Sequence, residues 1–385
     1  MTRVLFFLTL VILAFGKTIP PEANQLFPEL MVSLGYPVES HHITTKDGYI
    51  NLYFRIQAKG TQIRAGLPVI YLQHGVLDSS DDWVINNETL APGLILANLG
   101  YDVWLGNIRG NRYSLNHTKY NSSHPFSEYW DFSWQDMSLY DLPAAFEYIY
   151  NKTSQKIYYI GHSQGTSIMF MALARRDPTI LQYLKKFIAL GPVAYIAHST
   201  SPVVRLAAYS RIGYDIKVLD GKKFLLLSDK ERKELEVICA NSDLICIETI
   251  KYIADVHPEV DNMKRMDIFV GHIPAGTSVQ NMYYWEQLVN SKEFQMYNYG
   301  TKENLVHYGQ TKPPLINLGN INVPVHLFAG EYDELADPTD VARLRKELTG
   351  SPNVTFHSYK YGHMTFMWGL ETSYLNDVLA VLRDP

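Results

Sequence analysis

Short, mostly apolar runs recur along the chain, separated by segments with a helical pattern. The runs lie at residues 69–73, 101–105, 157–160, 187–190 and 325–329, and each is followed within two residues by glycine. Such runs are typical of strands buried on both faces of a sheet. Helical patterns at residues 141–150 and 166–175 lie between them. The alternation predicts an α/β fold with a mostly parallel, doubly wound sheet.

One long interval interrupts this rhythm. Residues 191–323 separate two of the predicted strands, whereas a crossover connection needs only about a dozen residues or more. The interval contains several helical patterns and an aromatic segment at 282–285. We therefore predict a sheet core formed by residues 17–194 and 313–385, and a mainly helical cap inserted at residues 195–312. A second domain that folds independently of the core is the alternative.

The first residues have the pattern of a secretory signal peptide. Arg3 precedes an apolar run at 4–15, and small residues permit cleavage before Lys17. We predict that residues 1–16 are removed and that the chain enters the secretory pathway, to be secreted or delivered to lysosomes. The run is shorter than the roughly 20 residues that span a bilayer, so a transmembrane anchor is not expected, although an uncut membrane anchor is the alternative. Five N-x-S/T sequons predict glycosylated surface loops at Asn87, Asn116, Asn121, Asn151 and Asn353.

The composition of the chain excludes some classes of protein and of binding partner. The chain of 385 residues is 46% hydrophobic and 19% charged, with a formal net charge of −5, which excludes a disordered chain and gives no basic footprint for nucleic acid. Its two cysteines, Cys239 and Cys246, form either a local disulfide, favoured by the oxidising compartment predicted above, or two buried thiols. Because neither cysteine has the spacing of a zinc or redox motif, we expect no metal.

The candidate nucleophile is Ser163. It is the centre of the G-x-S-x-G sequence at 161–165, which follows a predicted strand and precedes a helical pattern. A serine on such a sharp strand-to-helix turn needs neighbours without side chains two positions away on either side, and Gly161 and Gly165 meet this need. An ordinary glycine-rich turn is the alternative, so a base and an acid are needed in support.

The candidate base and acid lie late in the chain, in the order expected for this motif. His363 follows a predicted strand in a loop, whereas His357 falls inside that strand, so His363 is the better base. Asp333 closely follows the run at 325–329, whereas Asp337 directly precedes Pro338 and has the pattern of a helix N-cap. We therefore predict that Asp333 orients His363, which takes the proton of Ser163.

An oxyanion hole is predicted from two backbone N–H groups. One is that of Gln164, directly after the nucleophile, and the other is that of Val76, in the loop after the first predicted strand. Gly75 would let this loop approach a substrate closely. We expect His74 to brace the loop, since no second metal-type side chain stands at ligand spacing from it.

Together these residues resemble the acid lipase family of α/β-hydrolases, which contains gastric lipase and lysosomal acid lipase. The resemblance covers nearly the whole mature chain and is carried by segments at 35–37, 45–50, 72–75, 109–111, 130–134, 140–144, 161–165 and 274–282. It implies an α/β-hydrolase fold with a cap. It also implies Ser163, Asp333 and His363 as catalytic residues, Val76 and Gln164 as oxyanion donors, and a cap disulfide between Cys239 and Cys246.

The expected activity is serine-dependent hydrolysis of lipid carboxylic esters through an acyl-enzyme, at acid pH as the resemblance implies. Triacylglycerols, sterol esters or both are the expected substrates, met at a lipid–water interface, and no cofactor is expected. A lipid carrier that keeps the fold without the chemistry, or a carboxylesterase for small soluble esters, is the alternative.

Overall fold

A computed structural model describes residues 18–201, 221–242, 248 and 257–384. The predicted signal peptide at 1–16 and Cys246 lie outside these residues. No helix in the described ranges is long and apolar enough to cross a bilayer.

The described part of the chain contains a nine-stranded sheet and a small two-stranded one, β8–β9. The strands are β1 Val38–Thr44, β2 Tyr49–Ile56, β3 Val69–Gln73, β4 Asp102–Leu105, β5 Asn116–His117, β6 Ile157–His162, β7 Leu184–Leu190, β8 Lys223–Phe224, β9 Thr277–Ser278, β10 Val325–Gly330 and β11 Val354–Tyr359. The large sheet has the order β1-β2-β4-β3-β6-β7-β10-β11, with β5 paired to β2. Pairing is antiparallel around β2 and parallel from β4 to β11.

Helices cover both faces of this sheet. They are α1 Phe27–Leu34, α2 Pro92–Asn98, α3 Trp134–Asp136, α4 Leu142–Thr153, α5 Gln164–Ala174, α6 Pro178–Tyr183, α7 Asp229–Asn241, α8 Met266–His272, α9 Val279–Ser291, α10 Thr301–Tyr308, α11 Pro338–Glu347, α12 Thr365–Trp368 and α13 Tyr374–Arg383. Helices α4, α5, α6 and α11 share one hydrophobic core with β3 residues such as Tyr71. Helices α1, α2, α12 and α13 share a second core with Ile70 and Leu72 of the same strand. Successive strand residues thus enter opposite cores, which confirms the predicted doubly wound α/β sheet.

The interval between β7 and β10 is largely helical where it is described. It contains α7 to α10, and aromatic contacts join it to the core. The Trp134 ring of α3 stacks on Tyr284 of α9, with ring centroids 4.5 Å apart. The boundaries of the cap at 195 and 312 stay a prediction.

Most predicted elements have the expected bounds to within a few residues. The strand at 69–73 is confirmed, and so is the helix that begins at Pro338, where the Asp337 side chain accepts the Thr339 N–H at 2.7 Å. His357 lies inside β11, as expected. The helix predicted to begin at Thr166 begins two residues earlier, directly after Ser163.

A buried ion pair fastens the loop after β4 to two neighbouring segments. Arg109 is 1% exposed and donates to the Asp141 carboxylate at 2.6 and 2.9 Å and to Asp47 at 2.6 and 3.0 Å. Its guanidinium lies over the Tyr49 ring. Removing one partner of a buried pair leaves the other charge without compensation.

We predict that Arg109→Met lowers the free energy of unfolding by about 3–5 kcal/mol, because the Asp141 carboxylate stays buried without its cation. Arg343→Met is a matched control, since Arg343 also binds two carboxylates, Glu293 and Glu347, and also lies over a tyrosine ring, but its side chain is 35% exposed. Its loss should lower stability by about 1 kcal/mol or less. Urea unfolding of both variants measures the difference, and equal losses would contradict the role of burial.

Candidate active site

Ser163 occupies a strained turn between β6 and α5. Its φ of 53° and ψ of −123° lie where residues with a side chain are rarely found. The Ser163 N–H donates to the Leu190 carbonyl of β7 at 3.1 Å, and its own carbonyl accepts the N–H of Thr166 at 2.8 Å. The turn is therefore held from both sides, and it raises the serine side chain at the carboxyl edge of the sheet.

The glycines two positions before and after Ser163 are required by close backbone packing. A Cβ on Gly161 would lie 2.8 Å from the backbone of Gly165, and a Cβ on Gly165 would lie 2.6 Å from the Gln73 carbonyl oxygen. Neither contact leaves space for a side chain. The helix after Ser163 thus packs directly onto the end of β3.

Asp333 and His363 form a buried hydrogen-bonded pair at the same edge. Both residues are 2% exposed, and His363 Nδ1 lies 2.8 Å from Asp333 Oδ2. The other oxygen, Oδ1, accepts the backbone N–H groups of Leu335 and Ala336 at 2.9 and 2.7 Å. Asp333 is thereby fixed, and donation by Nδ1–H places the imidazole lone pair on Nε2.

His162 links the nucleophile turn to the His363 loop. Its Nε2–H donates to the His363 carbonyl oxygen at 2.9 Å, and the two imidazole rings are 4.9 Å apart. Burial and the neighbouring His363 lower the pKa of His162 to about 3. No role was expected for His162, which occupies the variable position directly before the serine of G-x-S-x-G.

The side chain of Gln164 is held by helix α9, which lies in the interval between β7 and β10, called the cap interval below. Its Oε1 accepts hydrogen bonds from Asn281 Nδ2 at 2.9 Å and from Trp285 Nε1 at 2.8 Å. Asn281 Oδ1 in turn accepts the Trp134 N–H at 2.7 Å. These contacts were not predicted, although Asn281 lies in one of the segments that carry the family resemblance.

The loop that contains Val76 lies against Ser163. A Cβ on Gly75 would lie 3.0 Å from Ser163 Cβ, so the expected close approach is present. Leu77 has a φ of 62°, and its carbonyl accepts the N–H of Ala275 from the cap interval at 2.7 Å. Val76 follows Gly75 in this loop, and its role as an oxyanion donor stays a prediction.

His74 braces this loop, as expected. Its Nδ1 lies 2.8 Å from the Gly75 carbonyl oxygen, and its Nε2 lies 3.2 Å from Asn111 Nδ2. Burial lowers the pKa of His74 to about 4, so the ring is neutral near neutral pH. A neutral ring donates at one nitrogen and accepts at the other, which fits both contacts.

The remaining predicted residues lie away from this edge. Cys239 is buried and disulfide-bonded, and its predicted partner Cys246 is outside the described residues. The asparagines of the five sequons are all exposed. The expectation that all five lie in loops is wrong for Asn116, which is in strand β5, and for Asn151, which is in the last turn of α4. Both elements face solvent at these positions, so exposure did not require a loop.

The arrangement fits the residue pattern of a known family. Residues 68–370 match the family model described as α/β hydrolase fold, and residues 27–87 match the one described as a partial α/β-hydrolase lipase region. The chain belongs to the acid lipase family of α/β-hydrolases. Human lysosomal acid lipase/cholesteryl ester hydrolase is 38% identical over 376 residues, which cover 95% of this chain and 92% of that protein.

Other acid lipases are similarly close. Gastric triacylglycerol lipase of Mus musculus is 36% identical over 383 residues, covering 96% of this chain and 95% of that protein. Human lipase member K is 38% identical over 370 residues, covering 92% and 89%. Among solved structures, the complex of DcsB with its substrate analogue has a TM-score of 0.51 at 14% identity, covering 89% of this chain and 97% of that chain. This last likeness shows the fold alone.

We predict that Trp285→Phe lowers kcat for a soluble p-nitrophenyl ester by about fivefold, since one hydrogen bond worth about 1 kcal/mol no longer holds Gln164. Trp130→Phe is the control, because the Trp130 Nε1 donates to the Ser122 carbonyl and not to Gln164. Steady-state kinetics separate kcat from KM for both variants. A loss confined to KM, or equal losses of kcat in both variants, would contradict the positioning role.

Proposed function

We propose that this protein hydrolyses carboxylic esters of lipids with Ser163 as nucleophile, His363 as general base and Asp333 as the acid that orients His363. The observation that carries the proposal is the buried Asp333–His363 hydrogen bond at the sheet edge where the strained turn presents Ser163. A serine, a carboxylate and an imidazole are the groups that acyl transfer uses, and in α/β-hydrolases they follow one another along the chain in this order.

The first step transfers the acyl group to the enzyme. Ser163 Oγ attacks the ester carbonyl carbon while His363 Nε2 takes the hydroxyl proton, and Asp333 stabilises the imidazolium that forms. The tetrahedral intermediate collapses, the C–O bond of the ester breaks, and His363 gives the proton to the leaving alcohol. Water then repeats the attack on the acyl-enzyme and releases the fatty acid.

The negative charge on the carbonyl oxygen is assigned to the N–H groups of Gln164 and Val76. One such donor typically contributes about a hundred- to thousandfold in rate, provided that it is held in place before the reaction. The contacts of Gln164 with α9 and of Leu77 with Ala275 support this assignment, since they fix both segments. Gln164 begins α5, so the partial positive charge of the helix N-terminus adds to the stabilisation.

The substrate is proposed to be a triacylglycerol, a sterol ester or both, met at a lipid–water interface. Relatives named triacylglycerol lipase and cholesteryl ester hydrolase support this class. Trp285 supports it too, since this partly exposed aromatic side chain lies next to Gln164 and donates to its Oε1 at 2.8 Å. Burial of an acyl chain against such surface contributes about 0.8 kcal/mol per methylene, which favours long chains.

The protein is proposed to act after entry into the secretory pathway, in a lysosome or outside the cell. The signal-peptide pattern at 1–16, five exposed sequons and the disulfide-bonded Cys239 support this location. The gastric and lysosomal names of the relatives point to the same two destinations.

The proposal is tested by fatty-acid release from emulsified triolein and cholesteryl oleate across acid to neutral pH. We expect release by the wild type and a loss of at least about a thousandfold in Ser163→Ala. Ser167→Ala is the matched control, because Ser167 is also buried and its Oγ donates to the Val193 carbonyl rather than to the site. It should keep release within about tenfold of the wild type.

Three other outcomes would contradict the proposal. Full activity of Ser163→Ala would exclude Ser163 as nucleophile. Binding of both lipids without release by any variant would favour a lipid carrier. Hydrolysis of a soluble short-chain ester alone would favour a carboxylesterase for small substrates.

A further inference from the structure

Two carboxyl groups and an imidazole that the mechanism does not use meet behind the nucleophile turn. Asp78, Asp82 and His162 are 4%, 0% and 2% exposed. One polar atom from each side chain lies within 4.8 Å of those from the other two. Asp78 follows the predicted oxyanion loop and His162 directly precedes Ser163, so this acid cluster joins the two segments that would hold the transition state.

Each member of the acid cluster has one atom fixed by the surrounding backbone or side chains. Asp78 Oδ1 accepts the Ser79 N–H at 2.6 Å, and Asp82 Oδ1 accepts Trp368 Nε1–H at 2.6 Å. His162 Nε2 must carry its hydrogen, because its partner, the His363 carbonyl, only accepts. These hydrogen bonds to groups outside the cluster leave Asp82 Oδ2 and His162 Nδ1 free to interact with one another or with Asp78.

These two atoms lack a donor when both carboxyls are ionised. Within the described residues and with both carboxyls ionised, no N–H or O–H group donates to Asp82 Oδ2 or to His162 Nδ1. A neutral His162 offers only a lone pair at Nδ1, and an ionised carboxylate offers only lone pairs. Buried acceptors that face one another are strongly unfavourable unless a hydrogen or a cation lies between them.

We propose that Asp78, Asp82 and His162 share at least one extra proton in the active enzyme, and that loss of this proton at higher pH sets the alkaline limit of activity. The alkaline limit of activity rests on the proposed ester hydrolysis, whereas the shared proton does not. Carboxylates that repel one another would shift the loop of Val76 against the turn of Ser163. The three residues are therefore positioning residues.

The other charged groups around the acid cluster do not remove the need for a proton. Asp81 adjoins both carboxyls, but its own charge is compensated by His272 at 2.7 Å and Arg112 at 3.8 Å. On the other side, His162 faces His74, His363 and Asp333. Of these, His363 and Asp333 already form a pair with each other, and His74 is neutral.

The direction of the pH effect follows from the carboxyl groups. Burial, and then the neighbouring Asp82, raise the pKa of Asp78 well above its usual value, and burial raises the pKa of Asp82 to about 6. The folded state therefore binds protons more tightly than the unfolded chain does. The contribution of these two carboxyl groups to stability is therefore fully present at pH below about 4, and it is lost as the pH rises through about 6.

Asp82→Asn tests the proposal, because an amide keeps the acceptor for Trp368 and supplies N–H donors to the acid cluster without a proton from solvent. We expect the descending alkaline limb of kcat/KM, relative to the maximum of the variant, to shift upward by about one pH unit or more. The thermal midpoint should fall less between pH 4 and pH 8 than in the wild type. The infrared C=O band of a protonated carboxylic acid should weaken.

Asp340→Asn is the matched control. Asp340 is equally buried, but its partner is His198 at 2.8 Å rather than a second carboxyl group. Its substitution should leave the alkaline limb where it is. An unchanged alkaline limb, midpoint profile and infrared band in Asp82→Asn would overturn the proposal.

A metal ion in the acid cluster is a distinct outcome. Loss of stability on dialysis against a chelator, with recovery on addition of Zn²⁺ or Ca²⁺ alone, would replace the shared proton with a cation. If the wild type hydrolyses no ester, the proposed function fails, but the midpoint profile and the infrared band still decide whether the proton is present.

Discussion

The backbone of Ser163 is the constraint on which the rest of the site depends. A residue with a side chain at positive φ costs about 1–3 kcal/mol, so the surrounding structure must hold it. Three neighbouring strands do so: β6 leads into the turn, β7 accepts the Ser163 N–H at Leu190, and the end of β3 packs on Gly165. The packing of these central strands therefore fixes the position of Ser163.

Burial divides the histidines near the site into two kinds. His74 and His162 each hydrogen-bond a backbone carbonyl oxygen through one ring nitrogen and have lowered pKa values, so each ring is a neutral connector that donates at that nitrogen. His363 instead has the Asp333 carboxylate at Nδ1, which stabilises the imidazolium formed during proton transfer. Two of these histidines, His74 and His162, thus brace loops, and in our proposal His363 transfers a proton.

Local physical demands explain which parts could be predicted from sequence. Gly161 and Gly165 flank the serine because the turn has no space for a Cβ, and Asp337 precedes Pro338 because a helix begins there. Such local constraints determine residue types within a few positions of one another, so they can be recognised in the sequence. Buried strands such as β3 are recognisable for the same reason, since both of their faces are apolar.

Tertiary contacts leave no comparable mark. Trp285 lies in the aromatic segment at 282–285 and Asn281 directly precedes it, and only the folded chain brings their polar hydrogens to Gln164. Ala275 holds the Leu77 carbonyl in the same way. Both segments assigned to the oxyanion are therefore fastened to the interval that would also shape the acyl pocket. In our proposal, a change in that interval that admits a different lipid would also displace an oxyanion donor, because fractions of an ångström matter there. Substrate range and rate would then be coupled through the same few hydrogen bonds.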